Sequence, residues 1–220
     1  LLKRHPACAD KTHIAWVGVD PAFFEVPRAP RSKVPQLLTV CRLSEPRKNV
    51  DLVLHALAGL KDRFEFEYTV AGEGGLQAEL ERLAEELGLG KRVHFAGRID
   101  DAELRDLYAR ADLFVLTSSI VPGSHEGFGI VYLEAAASGV PSLAARLAGA
   151  AEAVAEGRSG FFVDTPDAAS ISTALARYLA GEIRFSADTC RDFARGFDWR
   201  RIADMCEATY RKVPVREFRP

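Results

Sequence analysis

The stretch that decides the fold is Leu37-Leu38-Thr39-Val40, followed after Cys41-Arg42-Leu43-Ser44-Glu45-Pro46-Arg47-Lys48-Asn49 by Val50, Val53, Leu54, Leu57 and Leu60. The first four residues read as a buried strand, and the later apolar positions fall at helical spacing. The same unit then repeats. Phe64 to Ala71 alternates like a strand and ends in Gly72-Glu73-Gly74-Gly75, after which Leu76, Leu80, Leu83 and Leu87 form a helical stripe stopped by Gly88. Val93 to Ala96 is a third strand, Leu104, Leu107 and Tyr108 mark a third helix, and Leu113-Phe114-Val115-Leu116 is a fourth strand. A helix over about 129–138 and strands near 140–144 and 161–163 continue the series. Alternating strands and helices with short connections imply right-handed crossovers, hence an α/β fold with a doubly wound, Rossmann-like parallel sheet.

Composition bounds what such a chain does. With 29 Lys and Arg against 31 Asp and Glu, 48% apolar and 27% charged residues in 220, it is neither disordered nor a basic nucleic-acid binder. No apolar run approaches the roughly 20 residues of a membrane span. The four cysteines, Cys8, Cys41, Cys190 and Cys206, lack metal-ligand spacing and read as free thiols of a cytoplasmic protein. The chain opens Leu1-Leu2-Lys3, and its single methionine is Met205, which reads as a piece of something longer. Five of the 11 prolines fall before Leu37, a linker-like composition. Near the end, Asp198 is a helix N-cap, with Trp199, Ile202, Cys206, Tyr210 and Val213 on one helical face.

In a doubly wound fold ligands bind at the carboxyl ends of the strands, so chemistry is sought in the strand-to-helix loops. The first carries Arg42 and Lys48, cations suited to a phosphate or pyrophosphate, although from this loop alone two solvated surface charges are the plainer reading. Gly72-Glu73-Gly74-Gly75 departs from a dinucleotide fingerprint, since the third glycine would fall at Gln77; a tight turn with close backbone approach explains it. The fourth loop, Thr117 to Gly129, ends in His125-Glu126-Gly127-Phe128-Gly129 and leads into a helix bearing Glu134. Gly127 and Gly129 permit a bend that turns amides at the helix start toward an anion or a hydroxyl group. Glu126 and Glu134 are not neighbours on one helical face, yet each can face an end of the same ligand. Carboxylates accept paired hydrogen bonds from vicinal hydroxyls, and together with phosphate-binding cations they suggest a sugar nucleotide. Small and apolar neighbours, Leu133 and Ala135 to Ala137, surround Glu134, which therefore needs a partner.

At these residues the chain resembles the C-terminal, donor-binding lobe of a retaining glycosyltransferase with the two-Rossmann-lobe (GT-B) architecture, close to family 4. The family's Glu, seven residues, Glu signature is matched by Glu126 and Glu134, and its arginine and lysine by Arg42 and Lys48. Val17-Gly18-Val19-Asp20-Pro21 resembles the lobe junction, and Phe197-Asp198-Trp199 the start of the helix that returns to the N-terminal lobe. The resemblance implies that Arg42 and Lys48 hold the diphosphate and stabilise its departure. It implies that Glu134 binds the ribose, that the base lies near Arg98 and Ile99, and that Glu126 with Gly127, Phe128 and Gly129 grips the donor sugar. It implies a catalytic set of Arg42, Lys48 and Glu126, no metal, no cofactor besides a UDP- or GDP-linked sugar, and no nucleic acid. Residues 1–33 are then an interlobe linker or the end of an N-terminal lobe, 34–196 the nucleotide-sugar-binding domain, and 197–220 a return helix and tail. The acceptor, a glycan or a lipid-linked group, would be held by the N-terminal lobe, with association at the inner face of a membrane left open. Departures from the family pattern are Cys41 and Asn49 where glycine is common, Ala148-Gly149-Ala150-Ala151-Glu152 for Gly-Gly-x-Pro-Glu, and a longer loop from Ser119 to His125. A nucleotide-sugar epimerase of the same architecture and a non-catalytic nucleotide-binding module are the alternatives. A nicotinamide-dependent oxidoreductase is disfavoured by the missing fingerprint.

Overall fold

A computed structural model describes residues 12–212. Six strands, β1 Gln36–Val40, β2 Glu67–Ala71, β3 Val93–Gly97, β4 Leu113–Leu116, β5 Ser142–Ala145 and β6 Gly160–Val163, form one parallel sheet in the order β3-β2-β1-β4-β5-β6. The helices are α1 Val50–Ala58, α2 Gln77–Glu86, α3 Asp101–Arg110, α4 Ile130–Ala137, α5 Ala150–Ala153, α6 Ala168–Leu179, α7 Ala187–Ala194 and α8 Trp199–Tyr210. The doubly wound Rossmann-like fold is therefore present, with α5, α6 and α7 as elements that the strand and loop pattern did not place.

The period of two along each strand divides the core between the two faces. Leu37, Tyr68, Val70, Val115 and Leu143 pack on one face with Val53, Leu54 and Leu57 of α1, Leu80 of α2 and Ile171 and Leu175 of α6. Leu38, Phe114, Leu116 and Ala144 pack on the other with Tyr108 of α3, Tyr132 and Leu133 of α4 and Cys190 of α7. Both faces being covered explains why the strands read as continuous apolar runs.

The chain builds β2 and β3 on one side of β1, then crosses back through α3 to place β4 on the other. The winding direction thus reverses between β1 and β4. At such a switch point the loops leaving the two strands diverge and open a crevice at their carboxyl ends. Glycines set how closely the surrounding loops approach: a Cβ on Gly74 would lie 2.1 Å from the Leu43 carbonyl carbon, and one on Gly149 would lie 2.4 Å from Phe128 Cα. The Gly72 to Gly75 turn is accordingly the close backbone approach its composition suggested.

The described part of the proline-rich start packs against the domain: Val19, Phe23 and Val26 are buried, Val19 bridges Asp198, and Arg28 donates to the Tyr108 and Ala111 carbonyls at the end of α3 at 2.8 and 2.6 Å. Arg28 thus caps orphan carbonyls of that helix. In α8, Asp198 caps the helix by accepting from the Arg200 amide at 2.7 Å, but of the expected stripe only Ile202 is buried, while Trp199 and Tyr210 are 49% and 76% exposed. The stripe is therefore mostly uncovered, because no described element packs along it. Val213 and Cys8 lie outside the described residues.

Two of the departures from the family pattern turn out to share a backbone constraint. Asn49 and Ala148 are the only non-glycine residues with positive φ among those described, at 57° and 48°. A left-handed alanine costs roughly 1–2 kcal/mol relative to a relaxed conformation, whereas asparagine tolerates the region better. Ala148→Gly should therefore raise the unfolding free energy by about 1 kcal/mol. Asn49→Gly should lower it despite the same φ, because the Asn49 amide bonds described below are lost; denaturant titration of both variants checks the opposite signs.

Candidate active site

The crevice between β1 and β4 is closed by direct contacts between the two loops that leave them. Asn49 Nδ2 donates to the Thr117 carbonyl at 2.6 Å and to Ser119 Oγ at 2.7 Å, and the Ser119 amide donates to the Arg47 carbonyl at 2.8 Å. The left-handed conformation of Asn49 ends the short 3-10 turn Pro46–Lys48 and starts α1, so the same residue turns the chain and ties the loops together.

Held in this way, Lys48 and Glu126 meet across 78 residues of sequence. Lys48 Nζ lies 2.6 Å from Glu126 Oε2, Ser118 Oγ donates to the same oxygen at 3.1 Å, and Arg47 Nη1 is 3.6 Å from it. All three charged side chains are largely enclosed, at 8% exposure for Arg47, 11% for Lys48 and 13% for Glu126. Burial alone would raise the Glu126 pKa; the Lys48 hydrogen bond and charge, Ser118 and Arg47 outweigh it and hold the carboxyl below its ordinary value. Arg47 also donates from Nε to Ser124 Oγ at 2.8 Å and from Nη2 to Glu45. Cys41 beside this cluster is a neutral thiol, its pKa pushed up to about 12 by burial.

Glu134 occupies a separate environment on α4. Tyr108, wholly buried on α3, places its hydroxyl 3.2 Å from Glu134 Oε2 and 3.2 Å from the Val131 carbonyl. This supplies the partner that a glutamate among small apolar neighbours requires. Burial raises the Glu134 pKa to about 7; the Tyr108 hydrogen bond opposes the rise, and the negative charges of Asp101 and Asp20 add to it. The two glutamates thus have opposite electrostatic settings, one compensated by cations and the other underneutralised. No side chain caps the start of α4, where Gly129 takes a φ of 80°, so its first amides are open to an anion or hydroxyl.

The remaining expected residues make no hydrogen bond or ion pair with either carboxylate. Arg42 does not join the Lys48 and Glu126 cluster: its side chain is 82% exposed and pairs with Glu45 at 3.3 Å. Arg98 is equally exposed and lies 3.8 Å from Glu73, with Ile99 half-buried beside it. Gly127 and His125 are exposed, and Phe128 is half-buried with its ring 5.9 Å from that of Phe197.

The glycosyl transferases group 1 family model matches residues 23–196. The chain belongs to this family. Among curated relatives, a GDP-mannose-dependent alpha-(1-6)-phosphatidylinositol monomannoside mannosyltransferase of Mycolicibacterium smegmatis is 38% identical over 145 residues, covering 64% of this chain and 38% of its own. A D-inositol 3-phosphate glycosyltransferase of Geodermatophilus obscurus is 36% identical over 184 residues, covering 79% and 39%. The chain thus spans about two fifths of the length of these relatives. Among solved structures, sucrose-phosphate synthase from Thermosynechococcus elongatus superposes with a TM-score of 0.78 at 27% identity, over 96% of this chain and 55% of that one. Anabaena HepE in complex with UDP and glucose superposes with a TM-score of 0.77 at 24% identity, over 93% and 58%. The likeness to HepE, at that identity, is one of fold.

Within this group 1 glycosyltransferase chain, three contributors to the site were not singled out from sequence: Arg47, Ser118 and Tyr108. Arg47 sits next to Lys48 and reads as one more surface cation until the second loop closes over it. Tyr108 reads as a core aromatic, which its ring is; only its hydroxyl reaches Glu134. Asn49 carried a signal, because asparagine in place of a common glycine points to a left-handed residue.

The Glu134 setting gives a pH prediction. Its folded pKa of about 7 lies above the ordinary 4.5, so the folded state is favoured by protonation and this contribution fades as pH rises through about 7. Glu134→Gln mimics the protonated form, so its melting temperature should match wild type near pH 4, exceed it increasingly as pH rises from about 4.5 to 7, and keep a constant excess by pH 8. A difference between the two proteins that stays constant over the rising part of that range would show that Glu134 titrates normally.

Proposed function

We infer that the chain is the donor-binding lobe of a retaining glycosyltransferase, transferring a hexose from a nucleotide diphosphate sugar to a glycan or lipid-linked acceptor held by another lobe of the same enzyme. The observation that carries this reading is the enclosed Lys48 and Glu126 pair at the switch point of a group 1 glycosyltransferase fold, with Glu134 one helix turn and more beyond it on α4. Retention rests on the match of Glu126 and Glu134 to the family 4 pattern.

In this reading Lys48 meets the diphosphate and stabilises the negative charge that grows on it as the glycosidic bond breaks, a role preorganised cations perform well in an enclosed site. Arg42, exposed and paired with Glu45, can swing onto the outer phosphate, where its fork suits bidentate contact. Glu126 accepts from donor sugar hydroxyls beside the uncapped start of α4, and Glu134 accepts from the ribose while Arg98 and Ile99 flank the base. Glu134 must be ionised to accept from both ribose hydroxyls, so nucleotide binding strengthens as pH rises through about 7.

A thermal-shift panel of UDP, GDP and their glucose and mannose conjugates tests the reading, since a ligand at 100 times its dissociation constant adds about 2.7 kcal/mol of stability. The donor should raise the melting temperature, and Glu134→Ala should weaken its binding by about 10- to 100-fold. In the complete enzyme Lys48→Ala should lower turnover on the order of 100-fold. A flat panel would remove the nucleotide-sugar assignment, and unchanged turnover would remove the role of Lys48.

A further inference from the structure

Arg47 carries a donor that finds no hydrogen-bond partner among the described residues. Its side chain is 8% exposed, Nε is fixed on Ser124 Oγ at 2.8 Å and Nη2 on Glu45, yet Nη1 is buried and makes no hydrogen bond. Buried donors are nearly always paired, because desolvation without a partner is costly. Nη1 points at Glu126 Oε2 from 3.6 Å, just beyond bonding range, and that oxygen is already taken by Lys48 Nζ at 2.6 Å and Ser118 Oγ at 3.1 Å.

Donor binding changes the charge balance of this cluster. Granting the proposed function, a diphosphate arriving at Lys48 brings negative charge to an ammonium already neutralised by Glu126. If Lys48 turns to the phosphate, Glu126 is left as an enclosed carboxylate with one hydrogen-bond partner, Ser118, and only the unbonded Arg47 charge at 3.6 Å, a situation that weakens the ionised form. A second cation at hand removes this cost. We propose that Arg47 is a replacement cation: as the diphosphate draws Lys48 away, Nη1 of Arg47 closes the remaining gap to Glu126 and keeps that carboxylate ionised and oriented toward the donor sugar. Arg47 is thus a positioning residue, acting on the donor through Glu126 and Lys48. Its anchoring at Ser124 and Glu45 holds the guanidinium in place during the exchange, and Ser124 belongs to the long loop between Ser119 and His125.

The exchange predicts energetic coupling that simple attraction of phosphate by Arg47 does not. Calorimetric titration of UDP and of GDP into wild type, R47M, E126Q and the R47M/E126Q double variant measures it. In the wild-type background R47M should weaken the binding nucleotide by about 10- to 100-fold, whereas in the E126Q background, where no carboxylate needs a new cation, it should cost less than about 3-fold. R47K, which keeps the charge, should recover most of the loss. An equal loss in both backgrounds, or no loss in either, overturns the exchange. A second measurement on the wild-type chain does not depend on any variant folding: in nitrogen-15 spectra, saturation with the nucleotide should produce an arginine Nη proton signal protected from solvent exchange. Failure of that signal to appear overturns the proposal. If neither UDP nor GDP binds the wild-type chain, the proposed function falls and this inference with it; binding without coupling overturns the inference alone.

Discussion

A carboxylate enclosed in a protein crevice is stable in its charged form only beside cations, and the neighbourhood of Glu126 follows from that requirement. Lys48 and Arg47 come from the loop after β1, Ser118 and Glu126 from the loop after β4, and neither loop satisfies the charge alone. The ion pair therefore depends on the two loops being adjacent, and the loops depend on the sheet placing β4 directly beside β1. Hydrogen bonds from Asn49 across the gap make the two loops one body. Without this link each long side chain would face water, where such pairs contribute little.

The second glutamate shows the same physics with the sign reversed. Glu134 has a phenol hydroxyl rather than a cation as its partner, and Asp20 and Asp101 lie near enough to raise its pKa further. A site that holds one carboxylate firmly charged and another poised near neutrality is asymmetric along α4. The charged end lies next to the cations, and the poised end lies toward α3. In the proposed reading the diphosphate meets the cations at the charged end, beside the sugar hydroxyls at Glu126, and the ribose hydroxyls meet the poised carboxyl of Glu134.

Much of this was legible in the residues. The short, mostly apolar runs from Leu37, Leu113 and Phe161 are strands because both sheet faces are covered, and Gly88 ends α2 with a φ of 70° as a helix-stopping glycine does. The helices α6 and α7 also carried a local signal that the strand and loop pattern did not use: Asp167 and Ser186 cap their starts, and Ile171, Ala174, Leu175 and Tyr178 recur at helical spacing along α6. In the terminal helix the period was right: a stripe records which residues share a face, not what covers it, and Trp199 and Tyr210 share one that no described element covers. Arg42 and Lys48 looked alike in the loop after β1, but Arg42 turns outward to Glu45 while Lys48 turns in.

The sequence by itself determined the alternation of strands and helices, the loops at which a ligand can bind and the chemical types available there, because period, turn residues and charge are local properties. Tertiary structure alone decided which charges meet. Whether Arg47 is a solvated cation or a buried one with an idle donor depends on a loop more than seventy residues away, and whether Glu134 is an ordinary acid or one pushed up to about 7 depends on how far the packing around α4 buries it, against which the Tyr108 hydrogen bond works. Local sequence carries no record of such distances, and the energy of a charge is set by its distance to the next one.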